Sequence, residues 1–362
     1  MARLKFEDQQ KVLRGTPRHY ALAEGPEGLH EGMLLSINTT SLNLGGGRRE
    51  CSLNCHHCGN SDAPVALRKL TLKERLALLD SAKEQLGTRT LVLPGEGDPM
   101  FDRHLRATVE HAHQIGMTTA IFNSAYLITE KWANFFKEHD VTLILNFSHH
   151  EQERYDDFAG TPGAFALVMP RIRMISQVYA GTSEELNGKR VYRVAFNTDV
   201  NATNFSQRNG VQALARELDF MSVLNYPWPA GEALRNPELF GGSGENGEPS
   251  YSDLMRIVFR ESENGGFSFV THDMWCGMEA FGLSIGVDGR LQQCPYRLDS
   301  CQAMGHIDDY KISDGKYDLK TALEDKLRFW KWNNMVKVCS LRHGGGEFSQ
   351  SVRNYSLTRK LR

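Results

Sequence analysis

The sequence predicts an α/β chain, a parallel sheet with covering helices that closes partway into a (β/α)6, TIM-like barrel. Two observations predict it. Strand-length apolar runs alternate with helix-period segments six times in one direction, and this alternation stops near Asn225, where a different texture begins. The first strand is read over 33–38, followed by the glycine run Gly45-Gly46-Gly47 and a cysteine group. Helix spacing over 72–86 precedes a short apolar run over 88–93. The pattern then repeats: helix 104–115 and strand 118–122, helix 128–139 and strand 141–147, helix 164–179 and strand 191–197, helix 211–218 and strand 221–225. In such a sheet, residues just past the C-terminal strand ends are the candidates for chemistry.

Residues 226–250 read as a connector, with Pro227, Pro229, Gly241-Gly242, Gly244 and Gly247, and 252–262 as one helix after it. The segment 281–293 alternates and turns at Asp288-Gly289, a hairpin signal. Domain boundaries are expected at 1–32 (N-terminal extension), 33–225 (partial barrel), 226–270 (connector or substrate loop), 271–345 (second domain) and 346–362 (tail).

Composition narrows the function. The 362 residues carry a net charge of −2, with 24% charged and 40% hydrophobic residues, so no nucleic-acid or anionic-membrane partner is expected. No apolar run approaches the roughly 18–20 residues of a membrane helix, and residues 1–8 lack a signal peptide's apolar core. A cytoplasmic enzyme of about two domains is the expectation. Its seven cysteines are then expected to be thiols, metal ligands or catalytic groups, not disulfides.

Cys51, Cys55 and Cys58 fall within eight residues. Three soft ligands on one short loop suit zinc or an iron–sulfur cluster. A structural zinc site wants a fourth protein ligand, and His56 and His57 are crowded by the loop itself. A cubane on three thiolates instead leaves one iron open to an outside molecule. The Cys-x3-Cys-x2-Cys spacing, just past the first strand of an α/β chain, resembles the radical S-adenosylmethionine (radical SAM) superfamily. The resemblance implies a 4Fe–4S cluster on Cys51, Cys55 and Cys58 that binds the amino and carboxylate groups of SAM. One-electron cleavage of SAM would then give a 5′-deoxyadenosyl radical that abstracts hydrogen from substrate. An external donor such as flavodoxin or ferredoxin would supply the electron. The family usually has an aromatic residue before the third cysteine; here it is His57.

Other segments extend the resemblance. Pro94-Gly95-Glu96-Gly97-Asp98-Pro99, after the second strand, is similar to the family's Gly-Gly-Glu motif, which implies that Gly95 and Glu96 contact the SAM amino group. Physically, glycine lets backbone approach a ligand, and a carboxylate accepts from an ammonium. Asn123-Ser124 resembles the family's Thr-Asn-Gly turn. Asn146, Ser148 and Asn197 stand where such enzymes hold the SAM ribose and carboxylate, although each alone reads equally well as a strand-end cap. His149-His150 reads as part of a solvated loop.

Downstream, Cys276-x12-Gly289-x4-Cys294 resembles the opening of the SPASM and twitch extensions of this superfamily. With Cys301 and Cys339 it implies one auxiliary 4Fe–4S cluster, and four cysteines fit the shorter twitch type. The usual Cys-x2-Cys step is missing, so Cys301 reads either as the fourth ligand or as a free thiol donating hydrogen to a substrate radical, with His343 as a distant alternative ligand. His272, Asp273, Trp275 and Glu279 flank this loop as possible substrate contacts. The expected activity is oxidation, epimerisation or rearrangement of a small polyol, aminosugar or nucleoside in a biosynthetic pathway. A peptide- or protein-modifying maturase is the rival, disfavoured by the four downstream cysteines and the 50 residues before Cys51. A non-catalytic iron–sulfur or zinc protein is the alternative of another class.

Overall fold

The computed structural model describes residues 11–42, 49–62, 65–66, 68–225, 231–240, 254, 281–292 and 305–332. In chain order the elements that matter are β1 (Lys11–Leu13), α1 (Pro17–Glu24), β2 (Leu34–Ile37), α2 (Leu72–Leu86), β3 (Thr90–Leu93), α3 (Leu105–Gln114), β4 (Thr118–Asn123), α4 (Glu130–Glu138) and β5 (Val141–Asn146). They continue with α5 (Gln152–Phe158), α6 (Ala164–Val178), β6 (Glu184–Leu186), β7 (Lys189–Tyr192), β8 (Val194–Asp199), α7 (Arg208–Glu217), β9 (Met221–Asn225), α8 (Glu232–Arg235), β10 (Gly282–Ile285), β11 (Leu291–Gln292) and α9 (Leu319–Trp332).

The predicted strands align in one sheet of order β11-β10-β2-β3-β4-β5-β8-β9, parallel throughout except for the β10–β11 pair. Side chains alternate between two apolar faces, as a doubly covered parallel sheet requires. Leu35, Leu91, Ile121, Leu143 and Phe196 pack outward with the helices. Leu34, Val92, Ala120, Ile144, Ala195 and Val223 fill the inner face.

Local chemistry sets the helix limits. Thr71 and Glu74 form a reciprocal capping box at the start of α2, and Gly87 ends it in the left-handed conformation at φ 63°. Leu78 and Leu79 are fully buried from that helix, each contributing about 1.5–3 kcal/mol of transfer free energy.

Four features differ from the sequence expectation. The 1–32 extension contributes β1 and α1, and β1 pairs parallel with β7 in a separate three-stranded sheet. Val191 and Tyr192 belong to β7 of a β6–β7 hairpin, so the barrel strand starts later, at Val194. That hairpin turns at Asn187-Gly188, both with positive φ. The described part of the 226–250 connector holds α8. Finally, β10 pairs parallel with β2 in the register Leu283↔Leu35, so the hairpin turning at Asp288-Gly289 extends the barrel sheet itself.

One end of the barrel is closed. Thr90 Oγ1 donates to the Gly15 carbonyl (2.7 Å) and Thr142 Oγ1 to that of Arg14 (3.2 Å). Thr118 Oγ1 donates to Asp140 Oδ2 at 3.0 Å, and Arg14 Nε to Asp140 Oδ1 at 2.8 Å. These bonds tie residues 14–16 across the N-terminal ends of β3, β4 and β5. The C-terminal ends, where side chains of such barrels reach a ligand, carry the site.

Candidate functional site

A cavity of about 230 Å³ opens at those C-terminal strand ends. Cys51, Cys55, Cys58, Gly95, Glu96, Asn146, Ser148 and Asn197, scattered over almost 150 residues of sequence, all line it. Asn123, Ser124, His57, Asp199 and Asn225 line it too. The downstream residues Cys276, Cys294, Cys301, Cys339, His272, Asp273, Trp275, Glu279 and His343 lie outside the described residues.

The cysteine loop is held by backbone on several sides. Asn54 and His56 N–H groups donate to the carbonyls of Ala159 (2.9 Å) and Phe158 (3.0 Å). The N–H groups of Asp98 and Glu232 donate to the carbonyls of Glu50 (2.8 Å) and Cys58 (2.9 Å). Three glycines permit this closeness: a Cβ on Gly97 would strike the Glu50 carbonyl, one on Gly160 that of Asn54, and one on Gly231 that of Cys58. Gly97 therefore makes room for the cysteine loop's own backbone, while Gly95 turns the chain at φ 71°.

The donor chemistry suits an iron–sulfur cluster. Burial pushes the Cys51 thiol up to about 11, opposed by a hydrogen bond from the Leu53 N–H and reinforced by Asp98 and Cys58. Burial raises Cys55 further, with Cys51 and Cys58 adding to it. Cys58 is raised mainly by burial while accepting from the N–H groups of Asn60 and Ser61. Three desolvated, mutually repelling sulfurs, each with a backbone N–H group aimed at it, are poor free thiolates and good ligands for a cationic centre. Among the described residues no three His, Cys, Asp or Glu side chains already converge as a closed metal site. The fit thus rests on the donor set and the shared cavity.

Around the thiols stand polar side chains held by one another. Asp98 is buried and accepts from Asn123 Nδ2 (2.7 Å), Ser124 Oγ (3.0 Å) and the Met100 N–H (2.9 Å), so the Asn123-Ser124 turn is tied to the Gly95–Asp98 loop. Asn197 Nδ2 donates to Asn146 Oδ1 at 2.9 Å, and Asn225 Nδ2 donates to Asn197 Oδ1. An asparagine row thereby crosses the ends of β5, β8 and β9. Ser148 Oγ accepts from the Asp199 N–H at 3.1 Å. Glu96 is buried at 7% exposure, and desolvation raises its carboxyl to about 8 against the opposing hydrogen bond from Ser41.

His57 stacks on Phe158 with ring centroids 4.2 Å apart and planes within 5°, doing the packing of an aromatic residue. Its Nε2 lies 3.5 Å from Asp199 Oδ2, and burial lowers its pKa to about 4. His149 departs from the solvated-loop reading. It is 3% exposed, sits 4.8 Å from the Phe158 ring and leaves both ring nitrogens without a hydrogen-bond partner. Helix α5, too short to stand out as a periodic segment, carries Phe158 into place beneath both histidines.

Residues 48–179, which hold the three-cysteine loop and the strands beside it, match the model of the Radical SAM superfamily. The chain is 29% identical over 141 residues to a protein of Oleidesulfovibrio alaskensis named AdoMet-dependent heme synthase, covering 38% of this chain and 35% of that protein. A protein of the same name from Methanosarcina barkeri is 25% identical over 170 residues, covering 46% and 45%. The matches thus span less than half the length of these curated relatives. Among solved structures, Streptococcus suis SuiB superposes with a TM-score of 0.53 at 14% identity, over 79% of this chain and 65% of that one. That likeness concerns the fold. No helix among the described residues is long and apolar enough to cross a membrane.

Proposed function

We propose that the cavity binds a 4Fe–4S cluster on Cys51, Cys55 and Cys58 and one SAM molecule beside it. When bound and reduced, the pair supplies a 5′-deoxyadenosyl radical that removes hydrogen from an unactivated C–H bond. The protein's share is binding, orientation and exclusion of water. Gly95 and Glu96 would receive the SAM amino group, and Asn146, Ser148 and Asn197 its ribose and carboxylate. His57, flat against Phe158, forms an apolar wall beside the third cysteine. The single observation carrying this reading is that all eight of these cysteine and SAM-contact residues line one cavity.

For the substrate we infer a small polyol, aminosugar or nucleoside that is oxidised, epimerised or rearranged. Asn225 and Asp199, which line the same cavity outside the residues assigned to SAM, support a hydroxylated or amine-bearing molecule. Cys276, Cys294, Cys301 and Cys339 would hold an auxiliary 4Fe–4S cluster that takes up or returns an electron, and an external flavodoxin or ferredoxin would reduce the SAM-binding cluster. The names of the two curated relatives favour a second reading, a step in heme synthesis.

The test is anaerobic turnover of reconstituted enzyme with SAM and reductant against deuterated aminosugars and nucleosides, and separately against heme precursors. Deuterium carried into 5′-deoxyadenosine from a sugar or nucleoside supports the first reading. Transfer from a heme precursor alone replaces it with the second.

A further inference from the structure

Three side-chain amides join end to end at the C-terminal strand ends. Asn225 Nδ2 donates to Asn197 Oδ1, and Asn197 Nδ2 donates to Asn146 Oδ1 at 2.9 Å. The sheet fixes their backbones. Asn146 and Asn197 are register partners on β5 and β8, the Phe147 N–H donates to the Asn197 carbonyl (3.0 Å), and the Val200 N–H donates to the Asn225 carbonyl (2.7 Å). Asp199, the register partner of Asn225, spends its own N–H on Ser148 Oγ. All three asparagines line the cavity.

A side-chain amide carries its acceptor on one branch and its donors on the other, so a row of three has a direction. In the observed direction Asn146 gives its oxygen to the row and retains its nitrogen donors. Turning all three amides over preserves both bonds and inverts both ends, leaving Asn146 with its oxygen to offer. No amide turns alone without setting oxygen against oxygen or nitrogen against nitrogen.

We propose that the row is a two-state relay in which Asn197 is a positioning residue that passes the hydrogen-bonding state of Asn225 to Asn146, and so sets SAM affinity from the substrate side of the cavity. This deepens the proposed function and rests on its reading of Asn146 as a SAM contact. The carboxylate of SAM only accepts hydrogen bonds and its ribose oxygens can accept them, so donors at Asn146 serve the ligand. A substrate hydroxyl or amine that donates to Asn225 Oδ1 holds the observed direction, whereas a group that only accepts there favours the reverse. Both ligands bias one bistable element, and substrate and SAM assist each other reciprocally.

The test is a double-mutant cycle read by equilibrium binding of SAM to cluster-reconstituted, unreduced protein, with iron per chain as the control for folding. Asn225→Asp, ionised at about pH 7, only accepts. It obliges Asn197 to turn its nitrogen toward it, which reverses the row, and SAM affinity should fall about 10- to 100-fold. Asn225→Ala removes one bond without reversing the others and should cost about three- to tenfold. With Asn197→Leu in place no amide is left to turn, and Asn225→Asp should cost no more than Asn225→Ala does in that background. The through-space effect of the added charge is the same in both backgrounds, so the difference isolates the relay. Asn197→Val replaces Asn197→Leu if the latter takes up no iron. Asn146→Ala checks the contact itself and should weaken SAM by about three- to tenfold. An Asn225→Asp penalty that is equal with and without the Asn197 amide, or no larger than that of Asn225→Ala, overturns the relay and leaves the Asn146 contact standing. SAM bound as tightly by Asn146→Ala as by wild type overturns the contact, and the relay with it.

Discussion

The two ends of the barrel are built from different chemistry. At the N-terminal end, short threonines and the Arg14–Asp140 pair satisfy one another in local bonds, and residues 14–16 close the strand ends. At the C-terminal end, three thiols, a buried carboxylic acid and an asparagine row surround a cavity, and both His149 nitrogens and His57 Nδ1 are buried without partners. Groups raised in energy by burial are tolerable only where the rest of the fold is secure, and they gather where a ligand can relieve them. The closed end supplies stability; the open end spends it on a site.

Four changes sharpen that contrast, from the largest expected effect to the smallest. Gly160→Ala puts a side chain at φ 57° against the Asn54 carbonyl. It should cost about 2–4 kcal/mol and lower iron retained after reconstitution, measured by denaturation and iron assay on the same sample. Glu96→Gln should alter stability in a pH-dependent way. The folded-state pKa of Glu96, about 8, lies above its ordinary value, so the neutral acid's favourable contribution is complete below about pH 4.5 and is lost as pH rises through 8. Wild type should therefore lose on the order of 1–3 kcal/mol relative to Glu96→Gln between about pH 5 and pH 8 in urea unfolding. A parallel pair of stability curves would show that Glu96 titrates normally.

Asp140→Asn, at the closed end, weakens the contact with Arg14 while keeping a residue tolerant of φ 53°. Unfolding free energy should fall by about 1–2 kcal/mol with iron content and SAM affinity unchanged. A matching fall in SAM affinity would mean that the two ends are not independent. Asn225→Ala removes the outer member of the asparagine row and should weaken binding of SAM or substrate by about three- to tenfold without changing iron content, as read by equilibrium binding.

Much of this architecture was legible in sequence for local reasons. Helix α2 announces itself through Thr71, Glu74 and Gly87, and strand β9 is a run of apolar residues ending in Asn225. The cysteine loop stands out by its spacing, and the Gly95–Glu96 turn by its similarity to the family's Gly-Gly-Glu motif and its place after a strand. What escaped is tertiary or short. Nothing local distinguishes Gly160 and Gly231 from ordinary turn glycines, since their role is to admit the backbone of a loop far away in sequence. Asn225 joins the site only through cross-strand contact with Asn197. His149 is buried by α5, whose seven residues give too little periodicity to read. The Asn187-Gly188 turn was a readable hairpin signal, obscured by the continuity of Val191–Tyr192 with the next strand.

The most direct test of the central claim compares wild type with Cys55→Ala after anaerobic reconstitution, measuring iron and sulfide per chain and 5′-deoxyadenosine formed from SAM under reduction. The cavity chemistry predicts SAM cleavage by wild type, loss of about four irons in the variant and complete loss of cleavage with them. Cleavage retained by Cys55→Ala, or a wild-type protein that takes up zinc and leaves SAM intact, would contradict it.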